Sequence, residues 1–200
     1  MEPYMPTEKP RRPAAGWSID LAGPFPPDGN CYLAVAVDCM SKWVEAAPLQ
    51  SKHAFRTAEW FYSDIVARWG KPDWIRTDNG AEWAADFASL VQIMGIRHSK
   101  ITVGNSKANG QVERTIRTIK DVIRRCSTMG PPHYWTDDLP AALIALRHAT
   151  SAAHGYPPFP VITGCVPVLP SDITTELTLP SDEWTPEEEE IYVESMVDIV

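Results

Sequence analysis

Runs of apolar residues divide the first quarter of this chain of 200 residues into three candidate strands. Residues 32–38 are almost continuously apolar, as expected for a central strand that is buried on both faces. Residues 17–22 and 43–48 form shorter runs on either side, next to turn-forming residues. The turn at Ser41 and Lys42 predicts that the third strand runs antiparallel to the second.

Farther along the chain, apolar residues recur every three or four positions, which is the period of a helix packed on one side. A helix is predicted over residues 53–69, with Ser51 as its N-cap. Its apolar face would consist of Phe55, Ala58, Phe61, Tyr62, Ile65, Val66 and Trp69. A later helix over 135–150 would turn Leu139, Leu143 and Leu146 toward the core.

The other predicted elements are strands over 74–77 and 97–102, and helices over 86–94 and 109–128. Asn109 is the expected N-cap of the long helix. The polar loop over 103–108 is expected to be mobile in the free protein. This order of elements predicts an α/β domain with a five-stranded mixed sheet flanked by helices.

Prolines mark both ends of the chain. Residues 1–16 hold four prolines and mixed charge, and are predicted to be a linker. A domain is expected over 17–164, followed over 165–200 by a Pro-rich and acidic extension that is largely disordered. A short acidic helix is possible within it, over 187–199.

The net charge of −8 is unevenly distributed. Residues 171–200 contain ten acids and no Lys or Arg, so the first 170 residues carry a net charge of +2. Residues 97–125 contain eight basic residues against two acidic ones. This concentration of positive charge favours a nucleic-acid partner at that part of the chain. The acidic tail is expected to be solvated, or to cover the basic helix transiently.

Four scattered cysteines, with no Cys-x-x-Cys and no paired His spacing, favour buried reduced thiols over a zinc site or disulfides. No apolar run approaches the roughly 20 residues that span a bilayer, and residues 1–13 do not resemble a signal peptide. The protein is therefore expected to be soluble and intracellular, with no membrane partner and no small-molecule substrate.

Three acids are predicted to converge on one point. Asp20 ends the first strand, Asp78 follows the fourth strand in an Asp-Asn-Gly turn, and Glu113 lies near the start of the long helix. Each acid could instead have a purely structural role, since Asp, for example, commonly begins turns. Asp38 also ends a strand, and its tight hairpin assigns it to turn chemistry. Together, three converging carboxylates favour holding divalent cations against a phosphate.

The long helix has one charged and one apolar face. Its charged face carries Glu113, Arg117, Lys120 and Arg124 at steps of four, three and four residues. A solvated face with an ion pair from Glu113 to Arg117 would explain these charges. The opposite face, with Val112, Ile116, Ile119 and Ile123, would fix the orientation of the charged one. A carboxylate followed by cations suits a metal together with a phosphate backbone.

Four ordered segments make these motifs specific: WSIDLAGPF (17–25), VDCMSK (37–42), RTDNGAEW (76–83) and ANGQVERT (108–115). With YPPFPVITG (156–164), they resemble the integrase catalytic core of gypsy-type LTR retrotransposons, relatives of retroviral integrases. The resemblance runs from about residue 17 to residue 164. Residues 78 and 113 have one residue fewer between them than is usual in that family.

The resemblance implies an RNase H-like fold and a catalytic, metal-binding triad of Asp20, Asp78 and Glu113. It also implies two Mg²⁺ or Mn²⁺ ions and a metal-dependent polynucleotidyl transferase that processes DNA 3′ ends and joins them to target DNA. The implied partners are retroelement ends, target DNA and further copies of the chain. The expected DNA-binding residues are Lys107, Arg114, Arg117, Lys120 and Arg124.

Two alternatives stay open. The family's zinc domain and basic C-terminal domain do not occur in these 200 residues. This favours a non-catalytic, integrase-derived fragment or domesticated protein that binds DNA or partner proteins. A nuclease acting on RNA–DNA hybrids is the other alternative, which the context of Glu113 disfavours. An active enzyme in a eukaryotic host is expected in the nucleus.

Overall fold

A computed structural model describes residues 10–25, 31–101, 106–129 and 134–167, without the side chains of 106–109 and 126–129. Of the loop predicted over 103–108, residues 106–108 belong to a helix instead, and residues 103–105 lie outside the described residues, as does the acidic tail at 171–200. In chain order the elements are β1 (Gly16–Phe25), β2 (Cys31–Asp38), β3 (Val44–Leu49), α1 (Ala54–Trp60), a π-helical segment (Phe61–Val66), α2 (Ala67–Trp69), β4 (Trp74–Thr77), a 3₁₀ turn (Ala81–Trp83), α3 (Ala85–Ile93), β5 (Arg97–Lys100), α4 (Ser106–Met129), α5 (Trp135–His148) and α6 (Pro158–Thr163).

The five strands form one mixed sheet in the order β3-β2-β1-β4-β5. The pairs β3–β2 and β2–β1 are antiparallel, whereas β1–β4 and β4–β5 are parallel. The sheet separates two apolar clusters. One includes Trp17, Ile19, Phe61 and Phe87 on the side of α1 and α3, and the other includes Val35, Val112 and Leu143 on the side of α4 and α5. The predicted five-stranded mixed sheet with flanking helices is confirmed.

The packed domain begins earlier than the sequence indicated, within the segment assigned to a linker. Ala14 and Ala15 are buried, and the Ala14 amide donates a hydrogen bond to the Asp38 carboxylate. The Ala15 carbonyl accepts hydrogen bonds from the amides of Asp73 and Trp74. Residues 14–16 therefore extend β1 toward β4, although their composition is that of a linker.

Two helix starts differ from the prediction. The N-cap of α1 is His53 rather than Ser51. Phe55 and Tyr62, expected on the apolar face of this helix, are 59% and 53% exposed. Thr57 is buried in the first turn instead, where its hydroxyl donates to carbonyl groups, and the π-helical segment then changes the spacing of buried positions.

The helix α4 begins at Ser106, so Asn109 lies inside it and is not its N-cap. Several polar residues in this stretch could cap a helix, and the apolar period does not choose between them. The predicted apolar face is confirmed, with Val112, Ile116 and Ile119 buried and Ile123 packed against them. No helix among the described residues is long and apolar enough to cross a bilayer.

The cysteines depart from the expected burial. Cys31 and Cys39 are partly buried thiols, whereas Cys165 is exposed near the end of the described chain. Burial raises the pKa of the Cys39 thiol. The side chain of Cys126 lies outside the described residues.

Candidate active site

The strand β1 positions Asp20 beside the end of β4. Asp20 is not at a strand end, as predicted, because β1 continues to Phe25 and Asp20 pairs with Val35 of β2. Parallel pairing with β4, however, ends at Ser18 and Arg76. Two residues farther along each strand, Asp20 and Asp78 come level with each other. Because side chains alternate along a strand, Asp20 faces α4, opposite to Trp17 and Ile19.

Asp78 is held by two donors on one of its carboxylate oxygens. The Gly80 amide donates to Oδ1 at 3.0 Å, and the indole Nε1 of Trp83 donates to the same oxygen at 2.7 Å. Trp83 is fully buried and packs edge-to-face on Phe87, with ring centroids 5.0 Å apart. The turn predicted at Asp78 is therefore present, and the buried indole of Trp83 fixes the position of the Asp78 carboxylate. Sequence reasoning missed this role of Trp83.

Contacts with Thr77 and with His98 of β5 hold the backbone at Asp78 in place. The Thr77 hydroxyl donates to the Asp78 carbonyl at 2.8 Å and lies 2.8 Å from Nε2 of His98. Since that hydroxyl has one proton, Nε2 of His98 carries the proton in the second bond. Burial, with a contribution from Lys100, lowers the pKa of His98 to about 4. A neutral His98 is consistent with this donor role.

Asp20 lies within reach of the charges of the neighbouring acids. Burial contributes most to raising the pKa of Asp20, and the negative charges of Asp78, Glu113 and Glu82 add to it, so that the pKa reaches about 6. The Leu21 amide, which donates to Asp20 Oδ1 at 2.8 Å, acts in the opposite direction. Asp20 therefore holds its proton more tightly than an ordinary carboxyl group does, mainly because it is buried. That the three predicted acids form one site stays a prediction.

Glu82 is a fourth acid that the sequence analysis did not select. Its carboxylate lies over Gly80, where a β-carbon would come within 2.5 Å of it. The position of Glu82, four residues after Asp78 in the same turn, was the available signal. A side chain at position 80 would therefore displace this carboxylate from its present position.

The donor atoms of these acids suit a metal ion, but their positions do not form a metal-binding cluster. Among the described residues, no three His, Cys, Asp or Glu side chains are close enough together to hold a metal ion. Glu113 is exposed on α4. All the donors are carboxylate oxygens, which suit Mg²⁺, and a cation would relieve the repulsion that raises the pKa of Asp20. Metal ligation by Asp20, Asp78 and Glu113 stays a prediction.

The charged face of α4 is present, but its cations differ in their surroundings. Arg114, Arg117 and Arg124 are exposed, and Arg124 pairs with Asp121 at 3.2 Å. Lys120 is half-buried, with its Nζ 4.9 Å above the ring of Phe25. The ion pair considered between Glu113 and Arg117 is not among those of the described residues. The side chain of Lys107 lies outside them.

The turn between β2 and β3 anchors the start of α4. Asp38 is fully buried and accepts hydrogen bonds from the backbone and hydroxyl of Ser41, at 2.7 and 2.6 Å, and from Ala14. Burial raises its pKa, which these bonds oppose. Its assignment to turn chemistry is confirmed. Gln111 bonds to the Asp38 carbonyl and to Lys42, which ties α4 to this turn two residues before Glu113.

Comparison with known proteins agrees with this arrangement. The family model described as "Integrase core domain" matches residues 10–106. The Pol polyprotein of Radiation murine leukemia virus (strain Kaplan) is 32% identical over 160 residues, which are 79% of this chain and 27% of that protein. The chain spans less than a third of the length of the curated relatives it matches.

Solved structures show the same fold. An HTLV-2 integrase catalytic core domain in complex with magnesium aligns with a TM-score of 0.64 and 22% identity, over 76% of this chain and 99% of that one. A chain of the simian T-cell lymphotropic virus intasome in complex with PP2A regulatory subunit B56 gamma aligns with a TM-score of 0.68 and 23% identity, over 91% of this chain and 63% of that one.

The fold and the motifs thus define an integrase catalytic core with an RNase H-like fold. Residues 10–106 of this chain match the integrase core domain family, and relatives that are 31–33% identical to it are retroviral polyproteins. The narrower assignment to gypsy-type retrotransposons stays a prediction.

Proposed function

We propose that this protein is the catalytic core of a DDE-type polynucleotidyl transferase that processes DNA 3′ ends and joins them to target DNA. Asp20, Asp78 and Glu113 would be its catalytic residues. The observation that carries this proposal is the pairing register of β1 and β4, which brings Asp20 level with Asp78 just beyond the last parallel pair. Burial, and then the charges of Asp78, Glu113 and Glu82, raise the pKa of Asp20 to about 6. Acids tuned in this way at a shared point are more typical of a functional site than of a structural one.

Asp20, Asp78 and Glu113 would hold two Mg²⁺ or Mn²⁺ ions through their carboxylate oxygens. Bound at these carboxylates, such ions would neutralise the charge that develops on the phosphate. The protein's own residues orient the site: Trp83 and Gly80 hold Oδ1 of Asp78, and Gln111 holds the start of α4. Arg114, Arg117 and Arg124 would hold the phosphate backbone, as would Lys107 and Lys120.

Retroelement ends and target DNA are the proposed substrates, and further copies of this chain are the proposed protein partners. The HTLV-2 core structures, described as trimeric and dimeric forms, support self-association. An active enzyme would work inside the cell, in the nucleus of a eukaryotic host. The second candidate is a non-catalytic DNA-binding descendant, which the absence of a metal-holding group of three side chains among the described residues favours.

A cleavage assay separates the two candidates. The 200-residue protein is incubated with labelled blunt DNA duplexes in Mg²⁺, in Mn²⁺ or in EDTA, and with an RNA–DNA hybrid as a second substrate. Metal-dependent nicking near DNA 3′ ends, followed by joining to a second duplex, is expected. Binding without any nicking would favour the non-catalytic protein, and preferential cleavage of the hybrid would favour a ribonuclease.

Binding to duplex DNA is expected to depend steeply on salt. Four phosphate contacts imply a slope of log K against log salt of about −3.6, and each contact contributes about −0.9. Replacing the exposed Arg117 by Ala should therefore make the slope shallower by about 0.9. Fluorescence anisotropy at four or more salt concentrations measures it. Arg56→Ala removes an exposed arginine from α1 and should leave the slope unchanged. If the wild type, Arg117→Ala and Arg56→Ala all have the same slope, the DNA binds elsewhere.

The indole of Trp83 is expected to control metal affinity through Asp78. Trp83→Phe keeps an aromatic ring against Phe87 but removes the hydrogen bond to Asp78 Oδ1. Loss of such a supporting bond typically weakens metal binding or activity by about 10- to 100-fold. Mn²⁺ titration followed by electron paramagnetic resonance measures the affinity without relying on activity.

Trp60→Phe is the matched control. The indole nitrogen of Trp60 is buried with no hydrogen-bond partner among the described residues, so its removal should leave Mn²⁺ affinity unchanged. If the two substitutions alter Mn²⁺ affinity equally, the bond from Trp83 does not position Asp78 for a metal.

A further inference from the structure

An apolar cavity with a cationic rim lies where the end of β1 meets α4 and α5. Its volume is about 220 Å³, and it is lined by Phe25, Leu33, Lys120, Ile123, Arg124 and Trp135. The rings of Phe25 and Trp135 are tilted at 57° with centroids 5.4 Å apart. The cavity therefore combines aromatic and aliphatic walls with two positive charges.

An irregularity in β1 creates the aromatic wall. Alternation along the strand would turn Phe25 away from Ala22, which faces α4. The pairing register with β2 shifts between these two residues, and Phe25 packs on the same side as Ala22. Gly23 has a φ of 122°, a backbone conformation that other residues rarely adopt. Strand irregularities of this kind often redirect a side chain beside an active site.

Both elements that carry the proposed catalytic acids also lead to the cavity. Lys120 follows Glu113 by seven residues of helix, which is about 10 Å along α4. Phe25 follows Asp20 by five residues of strand, which is about 16 Å along β1. At about 3.4 Å per nucleotide in a duplex strand, these lengths correspond to about three to five nucleotides. A strand with its reacting phosphate at the acids would place a nearby nucleotide at the cavity.

The chemistry of the walls selects the occupant. A cavity of about 150 Å³ in another protein accommodates benzene, so this larger one suits a single base-sized ring system. Aromatic side chains stack on any base, and cations beside them bind the adjoining phosphate. A base within a duplex is already stacked and paired, so only an unpaired base near a DNA end is free to enter.

We infer that this cavity is a binding site for an unpaired nucleobase, three to five nucleotides from the phosphate held at the acids. The inference rests on the proposed function for its alignment with the acids. Phe25 and Trp135 stack on the base, and Arg124 and Lys120 contact the flanking phosphates. To make this contact, the Lys120 side chain leaves its position over the Phe25 ring.

The test is a thermodynamic cycle between DNA and protein. Duplexes with a five-nucleotide single-stranded end are prepared with an abasic nucleotide at each position in turn, and their binding to the 200-residue protein is measured by anisotropy in EDTA. For the wild-type protein, one abasic position is expected to weaken binding by about 5- to 100-fold. For Trp135→Leu, the same abasic position should weaken binding several-fold less than in the wild type, because one of the two stacking rings is gone.

Two further variants keep the result interpretable. Ile123→Phe fills the cavity with a ring and should also remove the sensitivity to the abasic position, even if Trp135→Leu proves unstable by circular dichroism. Tyr134→Leu changes an exposed aromatic residue that does not line the cavity, and should behave as wild type.

The outcomes separate this inference from the proposed function. Equal abasic sensitivity in the wild type and Ile123→Phe, or no sensitive position in the wild type, overturns the base site. A sensitive position that Ile123→Phe removes supports the site, even if the wild type does not cleave the same duplexes with Mg²⁺ or Mn²⁺. In that case the proposed catalytic function fails and the base site stands.

Discussion

Glu113→Gln is expected to lower metal-dependent DNA cleavage by about 10³-fold or more without weakening the fold. Loss of several kcal/mol of charge stabilisation at the reacting phosphate, at about 1.4 kcal/mol per tenfold in rate, gives this magnitude. Glu113 is exposed on α4, so stability should change by less than about 0.5 kcal/mol. Cleavage rates and urea denaturation measure the two effects separately.

Glu59→Gln provides the control for this substitution. Glu59 is an exposed acid on α1 that pairs with Arg56, and its neutralisation should leave cleavage unchanged. If Glu113→Gln retains cleavage within about tenfold of the wild type, Glu113 is not part of the active site. A loss of stability of more than about 1 kcal/mol would show instead that the helix face has a structural role.

The sequence predicts the sheet well because its strands have strong local signals. Residues 32–38 are apolar because β2 is covered on both faces, and that alone identifies the centre of the sheet. The amphipathic pattern of α4 likewise predicts which face is buried. These patterns report burial, which is the property that the strand and helix periods encode directly.

The extent of β1 was not predictable in the same way. Its end, Gly23 to Phe25, consists of turn-forming residues, but pairing with β2 holds it in the sheet. Asp20 therefore lies inside a strand, and its place beside Asp78 follows from where the pairing with β4 ends. This is a tertiary property, because it depends on the register between two strands far apart in sequence.

Within the candidate site, the sequence motifs point to the acids but not to the residues that hold those acids in place. Asp20, Asp78 and Glu113 stand in ordered motifs, whereas the role of Trp83 depends on an indole nitrogen that reaches Asp78 at 2.7 Å. A tryptophan in an apolar run is equally consistent with simple core packing. Glu82 was overlooked because its charge gains meaning only from its distance to Asp20.

The other large expected effect is that Asp20→Asn stabilises the metal-free protein while removing an acid from the site. The pKa of Asp20 is raised from 3.8 to about 6, mainly by burial and then by the charges of Asp78, Glu113 and Glu82. The ionised carboxylate therefore opposes folding. A shift of about two pKa units corresponds to about 3 kcal/mol, an upper estimate because Asp20 is partly exposed to solvent. The amide oxygen of Asn can still accept the hydrogen bond from Leu21.

The raised pKa of Asp20 determines how the stability difference between Asp20→Asn and the wild type changes with pH. Between pH 4 and 6 the folded protein binds the Asp20 proton more tightly than the unfolded chain does, so this group lowers the stability of the wild type as pH rises. Asp20→Asn should match the wild type below about pH 4 and exceed it by up to about 3 kcal/mol above about pH 7. Urea denaturation in EDTA, measured from pH 4 to 8, follows the difference. Asp73→Asn, at an exposed ion pair with Arg12, is the control and should shift stability by less than about 1 kcal/mol. A difference between Asp20→Asn and the wild type that stays constant with pH would show that Asp20 ionises normally.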